Sequence, residues 1–503
     1  MNTNDAKRVS LPRWLYRALM LLLALLVAAV AAGLYLAGRF SVDNPVSYPD
    51  DERHFMYGST GGERESGFPF WIWQALPQVC AEYLPGRGYA SLGMLYEEGR
   101  DLPIGMSQRR HLGIDRVFLN CAACHTGTVR SAVDAPARIY TGMPAHQLDL
   151  QGFQEFFFRC ASDEKFRADF ILPEIERLGA DLNPLDRLVV YPVAIALMRE
   201  RLLMLKTRFG FTDRQAPWGP GRVDTFNAAK VLFNMPVAKL PPEELRGTSD
   251  FPSIWLQAPK KKRDDGQAMQ LHWDGNNTAT EERNKSAAFG TGTTPPTLDT
   301  RAIGRIEAWL LTLAPPAYPF PVDEALAAKG APIYAEYCAH CHGANGRDFS
   351  GARVGHVTPI AEIGTDRGRL DSYTRDLAVN QGALYAGYPW RFTRFRKTFG
   401  YANMPLDGLW LRAPYLHNGS VPTLADLLEP TARRPQRFFR GYDVYDPRRV
   451  GFVTTVATEG GRKYFEYDTR LPGNANHGHE GRAYGTELAP DEKTALVEYL
   501  KTF

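Results

Sequence analysis

Two short segments carry the same chemistry. Cys121-Ala122-Ala123-Cys124-His125 and Cys338-Ala339-His340-Cys341-His342 both read C-x-x-C-H. Thiols three positions apart lie on one side of a helical turn, where both can form thioethers with the vinyl groups of one haem. The adjacent imidazole then reaches the iron as proximal ligand. A structural zinc site needs a second ligand pair; the two motifs could supply it, but the histidine beside each would be unexplained. A thioredoxin-type dithiol needs a βαβ setting that this sequence does not offer. The residues therefore point to two covalently bound c-type haems. Cys121, Cys124, Cys338 and Cys341 would tether them, with His125 and His342 as proximal ligands.

An iron with two strong axial ligands mainly transfers electrons, whereas one with an open or weakly held sixth position can bind peroxide or dioxygen. In the second half, Met404, His417, His477 and His479 offer side chains for that position. In the first half, His54, His111, His146, His272, Met94, Met106 and Met143 do. Spacing alone does not choose among them. Cys80 and Cys160 belong to neither motif; they either pair in an oxidising compartment or stay as isolated buried thiols.

Several elements that must position these residues are legible. Asp323 can cap a helix running to about Tyr337, with Leu326, Ile333 and Tyr337 on one stripe and Pro332 inside as a kink. Pro490-Asp491-Glu492 opens a last helix with Leu496, Tyr499, Leu500 and Phe503 at i, i+3, i+4 and i+7. Residues 301–313 have apolar side chains at helical spacing, and 185–209 carry another amphipathic pattern behind Asn183 and Pro184. Residues 211–300, rich in Gly, Pro, Trp and Asn, read as structured loop. Pro315, Pro316, Pro319 and Pro321 make a stiff extended connection, where a domain boundary is expected.

Residues 18–37 are apolar without a break, about 30 Å as a helix, which matches a bilayer core. Lys7, Arg8, Arg13 and Arg17 precede them; Asp43, Asp50, Asp51 and Glu52 follow. That bias keeps residues 1–17 in the cytoplasm and exports the rest. A cleaved signal peptide, with Ala29-Val30-Ala31 as its small-residue site, is the rival, but the run exceeds the usual ~7–15 apolar residues. The expected organisation is a cytoplasmic tail (1–17), a single-pass inner-membrane anchor (18–37), an N-terminal haem domain (38–314), a Pro-rich linker (315–322) and a C-terminal haem domain (323–503), with both haem domains in the periplasm. Lys+Arg 59 against Asp+Glu 56, net +3, excludes a strongly basic nucleic-acid binder. Six cysteines in 503 residues are too sparse for a disulfide scaffold, and no phosphate-binding or dinucleotide glycine motif is present.

With the motifs placed, residues 50–503 resemble the bacterial dihaem cytochrome c peroxidase superfamily, most of all the branch containing the rubber (latex-cleaving) oxygenases. The segments that carry this are 67–73, 120–128, 218–226, 272–277, Arg283-Asn284, 363–366, 406–424 and 476–479. Gly330, Tyr334 and the aromatic last helix resemble the cytochrome c fold, in which two helices cross closely at a glycine. The resemblance implies a mainly α fold with long loops and two cytochrome c-like haem domains behind one transmembrane helix. It implies a bis-histidine second haem whose distal ligand is His479, with Met404 as runner-up and His417 lining or ordering that pocket. It makes the first haem, on His125, the catalytic one, with Trp273 as an inter-haem electron relay and Phe289 walling the distal side. Arg283 and Glu281 serve that pocket or, by preference, pair with each other. Relatives carry an inter-domain calcium, whose ligands find no match here. The activity expected is peroxide reduction at the first haem, with electrons relayed through the second from a donor protein or the quinone pool. Oxygenation of an organic substrate with dioxygen is the alternative. A pure electron carrier is a third, which the chain length disfavours.

Overall fold

The computed structural model describes residues 12–262 and 266–503. Helix Arg13–Ser41 is a rod with no buried residue, and among the described residues it is the one helix long and apolar enough to cross a membrane. Lys7 and Arg8, half of the charge argument for its direction, lie outside the described residues. Its far end touches the body: Arg39 donates to the Gly113 carbonyl (3.2 and 3.3 Å) and pairs with Asp186.

An antiparallel sheet follows, in the spatial order Asp43–Pro45, Met106–His111, Ile114–Leu119, Phe68–Pro69. The sequence pattern had not shown it, because a charged residue points inward. Arg109 is buried, 2.8 Å from Asp43, 3.4 Å from Asp299 and 3.6 Å from Glu63. A guanidinium in a core position breaks the apolar alternation that marks a strand. Against this sheet pack helices Phe70–Val79 and Leu150–Ser162, and on them helices Ala168–Arg177 and Tyr191–Arg208, with Trp73, Phe153, Phe156, Phe157, Ile171 and Ile195 in one core. Cys80 and Cys160 lie fully buried within it and form a disulfide, which resolves the choice left open. Asn183 accepts from the Asp186 N–H (3.0 Å), as its capping position requires, but the helix then opens with a π turn over Asp186–Val190.

Residues 211–300 hold more regular structure than expected. Helices Thr225–Leu232, Gln257–Lys261 and Thr280–Gly290 lie there. The last is polar in sequence and is fixed from outside itself: Glu282 accepts the N–H groups of Thr393 and Arg394 at 2.7 and 3.0 Å. Such a helix shows no periodicity to read.

In the last third, helices Glu324–Tyr337 and Pro490–Leu500 cross at Gly330, where a Cβ would stand 2.0 Å from the Ala495 carbonyl oxygen. Asp323 caps the first by accepting from the Leu326 N–H at 3.0 Å, and Tyr334 meets Phe503 edge-on at 4.9 Å. This is the crossing expected for a cytochrome c domain. The Pro-rich stretch 313–323 has no helix or strand. It is bound to the C-terminal half, with Pro316 accepting from the Trp410 indole (3.0 Å) and Tyr318 donating to the Pro447 carbonyl (2.9 Å). A second core runs across it: Val129, Tyr140, Met143 and Trp255 pack with Leu409, Trp410, Tyr415, Tyr445 and Leu496. The two motif-bearing halves thus share apolar contacts.

Candidate haem-binding cavity

Asn120 fixes the first motif. Its side chain accepts from the Ala122 N–H (3.0 Å) and donates to the Gly58 carbonyl (3.0 Å), capping a single helical turn over Cys121–Cys124. Gly105, at φ +89°, lets a neighbouring loop touch the turn; a Cβ there would stand 2.3 Å from Ala123. The second motif continues helix Glu324–Tyr337 into a turn over Ala339–His342, with the Tyr334 hydroxyl donating to the Gly343 carbonyl at 2.8 Å.

Both motifs open onto one continuous cavity of about 1240 Å³, lined by Cys121, Cys124, His125, Cys338, Cys341 and His342. A single small-molecule site is usually ~300–1,000 Å³, so there is room for more than one large group. Burial pushes the thiols up, to about 11 for Cys121 and about 12 for Cys124 and Cys338, and Cys341 moves the same way. These are neutral thiols in apolar surroundings, unlike a reactive dithiol.

The imidazoles of the two motifs are oriented alike. His125 Nδ1–H donates to the Pro252 carbonyl (2.9 Å), and His342 Nδ1–H to the Met404 carbonyl (2.7 Å). Each bond leaves Nε2 for the iron and fixes the tautomer, as metal-binding histidines require. Burial lowers both imidazoles, His125 to about 4, so both are neutral and able to ligate. Met404, the runner-up for the distal position, accepts that bond through its backbone carbonyl and lines the cavity as well.

Opposite His342 stands His479. Their ring centroids are 6.3 Å apart with planes inclined at 44°. Two imidazoles bound to one metal by bonds of ~2 Å each would have centroids roughly 6 Å apart. His479 is a non-glycine residue at φ +46°, with a buried ring nitrogen, Nδ1, that has no partner. Burial lowers it to about 3. Buried Arg434 secures its loop, donating to the carbonyls of Asn476 (2.5 Å), Gly478 (2.9 Å) and His479 (3.2 Å). A cradle of thiols, facing imidazoles and apolar walls fits a c-type haem. His477 is exposed, its Nδ1 on the Gly364 carbonyl.

No ring partner comparable to His479 faces His125 among the described residues. Of the candidates in the first half, only His272 lines the cavity; its Nδ1 is engaged with Asn276 Oδ1 at 2.5 Å, and its ring lies 6.3 Å from Phe395 rather than against His125. His54, His111, His146, Met94, Met106 and Met143 lie outside the lining. His146, for example, is stacked 3.7 Å from Phe452 and bonded to the Thr128 carbonyl. Around the first motif the lining includes Phe251, Ile306, Leu310 and Arg283, while Phe289 lines the same cavity beside Phe233. Arg283 does not pair with Glu281, which binds Lys261 instead. Burial lowers Arg283 to about 10, and among the described residues Glu307 is the anionic group that acts on it, so it is a cation facing the cavity.

Trp273 lines the same cavity and donates its indole N–H to the Asp250 carbonyl (2.8 Å). The Asp250 N–H donates to the His417 carbonyl (2.9 Å), and its carboxylate takes a two-pronged bond from buried Arg440 at 3.0 and 2.9 Å. His417 stacks on Tyr401 at 4.0 Å and bonds its hydroxyl at 3.0 Å, which suits a side chain ordering the pocket. Asp250, Arg440 and Arg434 were not picked out by sequence reasoning. Asp250 and Arg440 end short strands and Arg434 lies in a loop, each an isolated polar residue whose burial alone shows its part. For calcium, no cluster of three or more His, Cys, Asp or Glu side chains occurs among the described residues.

The chain is similar to an uncharacterised protein, y4iJ, of Sinorhizobium fredii, 27% identical over 94% of this chain and 97% of that one. A second uncharacterised protein of that organism, y4iM, is 33% identical over 50% of this chain, which spans 64% of its length. Residues 400–439, which include Met404, His417 and Arg434, carry a RoxA-like, cytochrome c-like domain, and such a domain implies covalently bound c-type haem.

Proposed function

We propose that this protein is a membrane-anchored dihaem c-type oxidoreductase, exported to the periplasm, whose two irons differ in task. The observation that carries the reading is the asymmetry of axial partners: His342 faces His479 at 6.3 Å, and His125 has no such partner among the described residues. When bound, the first haem supplies an iron with a free face for a small oxidant, and the second an electron-transfer centre. The chain does the rest. The Pro252 carbonyl holds His125 upright, and the apolar lining excludes water from the open face. Arg283 supplies positive charge toward an anionic oxidant or haem carboxylate. The indole of Trp273, set by Asp250, gives an aromatic path between the sites. The disulfide Cys80–Cys160 agrees with an oxidising compartment.

Peroxide reduction, with electrons from a donor protein or the quinone pool, was the first expectation from sequence. The match to a RoxA-like domain favours the alternative, dioxygen-dependent oxygenation of an apolar organic molecule. The test is consumption of each oxidant by the reduced holoprotein with and without apolar substrates. Peroxide turnover with a cytochrome donor and no oxygen uptake would return the reading to a peroxidase.

A further inference from the structure

The cavity reaches the surface next to the anchor helix. Phe40, Leu112, Val189, Val193 and Leu197 line it and are also solvent-facing, from 37% exposed for Phe40 to 61% for Leu197. Phe40 belongs to the last turn of helix Arg13–Ser41, and neighbouring Arg39 binds Asp186 and the Gly113 carbonyl. Those two bonds place the start of helix Tyr191–Arg208 and the tip of the Met106–Leu119 hairpin at the level where the anchor leaves the membrane. Leu188 and Met204 add further exposed apolar surface to the same segment. Contiguous apolar surface at a membrane boundary marks a lipid-contacting face. From this rim the lining continues inward through Leu150, Phe153 and Phe157 toward Phe251 and His125.

We propose that this rim is seated in the outer leaflet, so that the cavity opens into lipid rather than water. Its occupants are then the hydrocarbon chains of bilayer lipids and apolar molecules dissolved among them. The proposal rests on the anchor reading and is independent of which oxidant reacts. A haem-loaded protein with the buried disulfide has no free thiol, so a single introduced cysteine reports its own position. Full-length Val193→Cys and Leu197→Cys, labelled with bimane and reconstituted in phosphatidylcholine vesicles, should be quenched at least threefold more by shallow doxyl-labelled lipid than Val133→Cys. Val133 is exposed and outside the cavity lining. All three positions are exposed, so each variant should fold, and agreement of two labels guards against loss of one. Protein that floats with the vesicles while 193 and 197 are quenched no more than 133 overturns this proposal alone. Protein that fails to float overturns the anchor reading and this proposal together.

Discussion

His479 is the residue on which the second site turns. Replacing it with alanine leaves His342 as sole protein ligand and should convert that iron from low to high spin, read in the optical spectrum, with little change at the first. Arg434 acts through it as a positioning residue. Arg434→Met should cost about 3 kcal/mol in chemical denaturation by leaving buried carbonyls unpaired. It should also shift the low-spin signal of the His342–His479 pair, which a merely structural loss elsewhere would not do. Lys260 gives a pH signature. Burial lowers it to about 8, although Asp407 lies 3.1 Å away. In the unfolded chain it titrates near 10.4. Between those values the unfolded state binds more protons, so stability should rise by up to a few kcal/mol as pH climbs from about 8 to 10.4. Lys260→Met should flatten that slope. Residue-level chemistry was legible where it is written locally: both C-x-x-C-H motifs read directly. His479 emerged only through a resemblance, because its partner is distant in sequence. The Arg283–Glu281 pairing failed because Lys261, nearer to Glu281 in space, comes from a separate helix.

At the scale of elements, the crossing of Glu324–Tyr337 with Pro490–Leu500 has the least slack. A methyl at Gly330 meets a backbone oxygen that cannot move aside, so Gly330→Ala should destabilise the protein by about 3 kcal/mol. It should also lower the midpoint of a thermal melt followed at the haem absorbance, which reports axial ligation at the second motif. These helices were legible because cap, stripe and glycine all lie within each element. The four-stranded sheet was not, since Arg109 occupies a core position, nor was helix Thr280–Gly290, which is held by contacts from residues 393–394. The Cys80–Cys160 bridge joins helices that the sequence leaves unrelated. Removing both sulfurs should cost about 2–5 kcal/mol in denaturant.

Across the whole molecule, the N-terminal rod, the disulfide-linked helical core and the cytochrome c-like crossing converge on one cavity that holds both motifs. The sequence marked a boundary at the prolines, but the apolar core that spans it is made of residues far apart in the chain and could not be read from either side. That shared core keeps both motifs on one cavity, which is what inter-site electron transfer needs. The central claim is that the irons are unequal and that the one on His125 is open. The most direct test is electron paramagnetic resonance of the ferric full-length holoprotein beside His125→Ala. The account predicts one low-spin and one high-spin signal, with the high-spin signal perturbed by peroxide and lost in His125→Ala. Two low-spin signals, unchanged by peroxide, would contradict it.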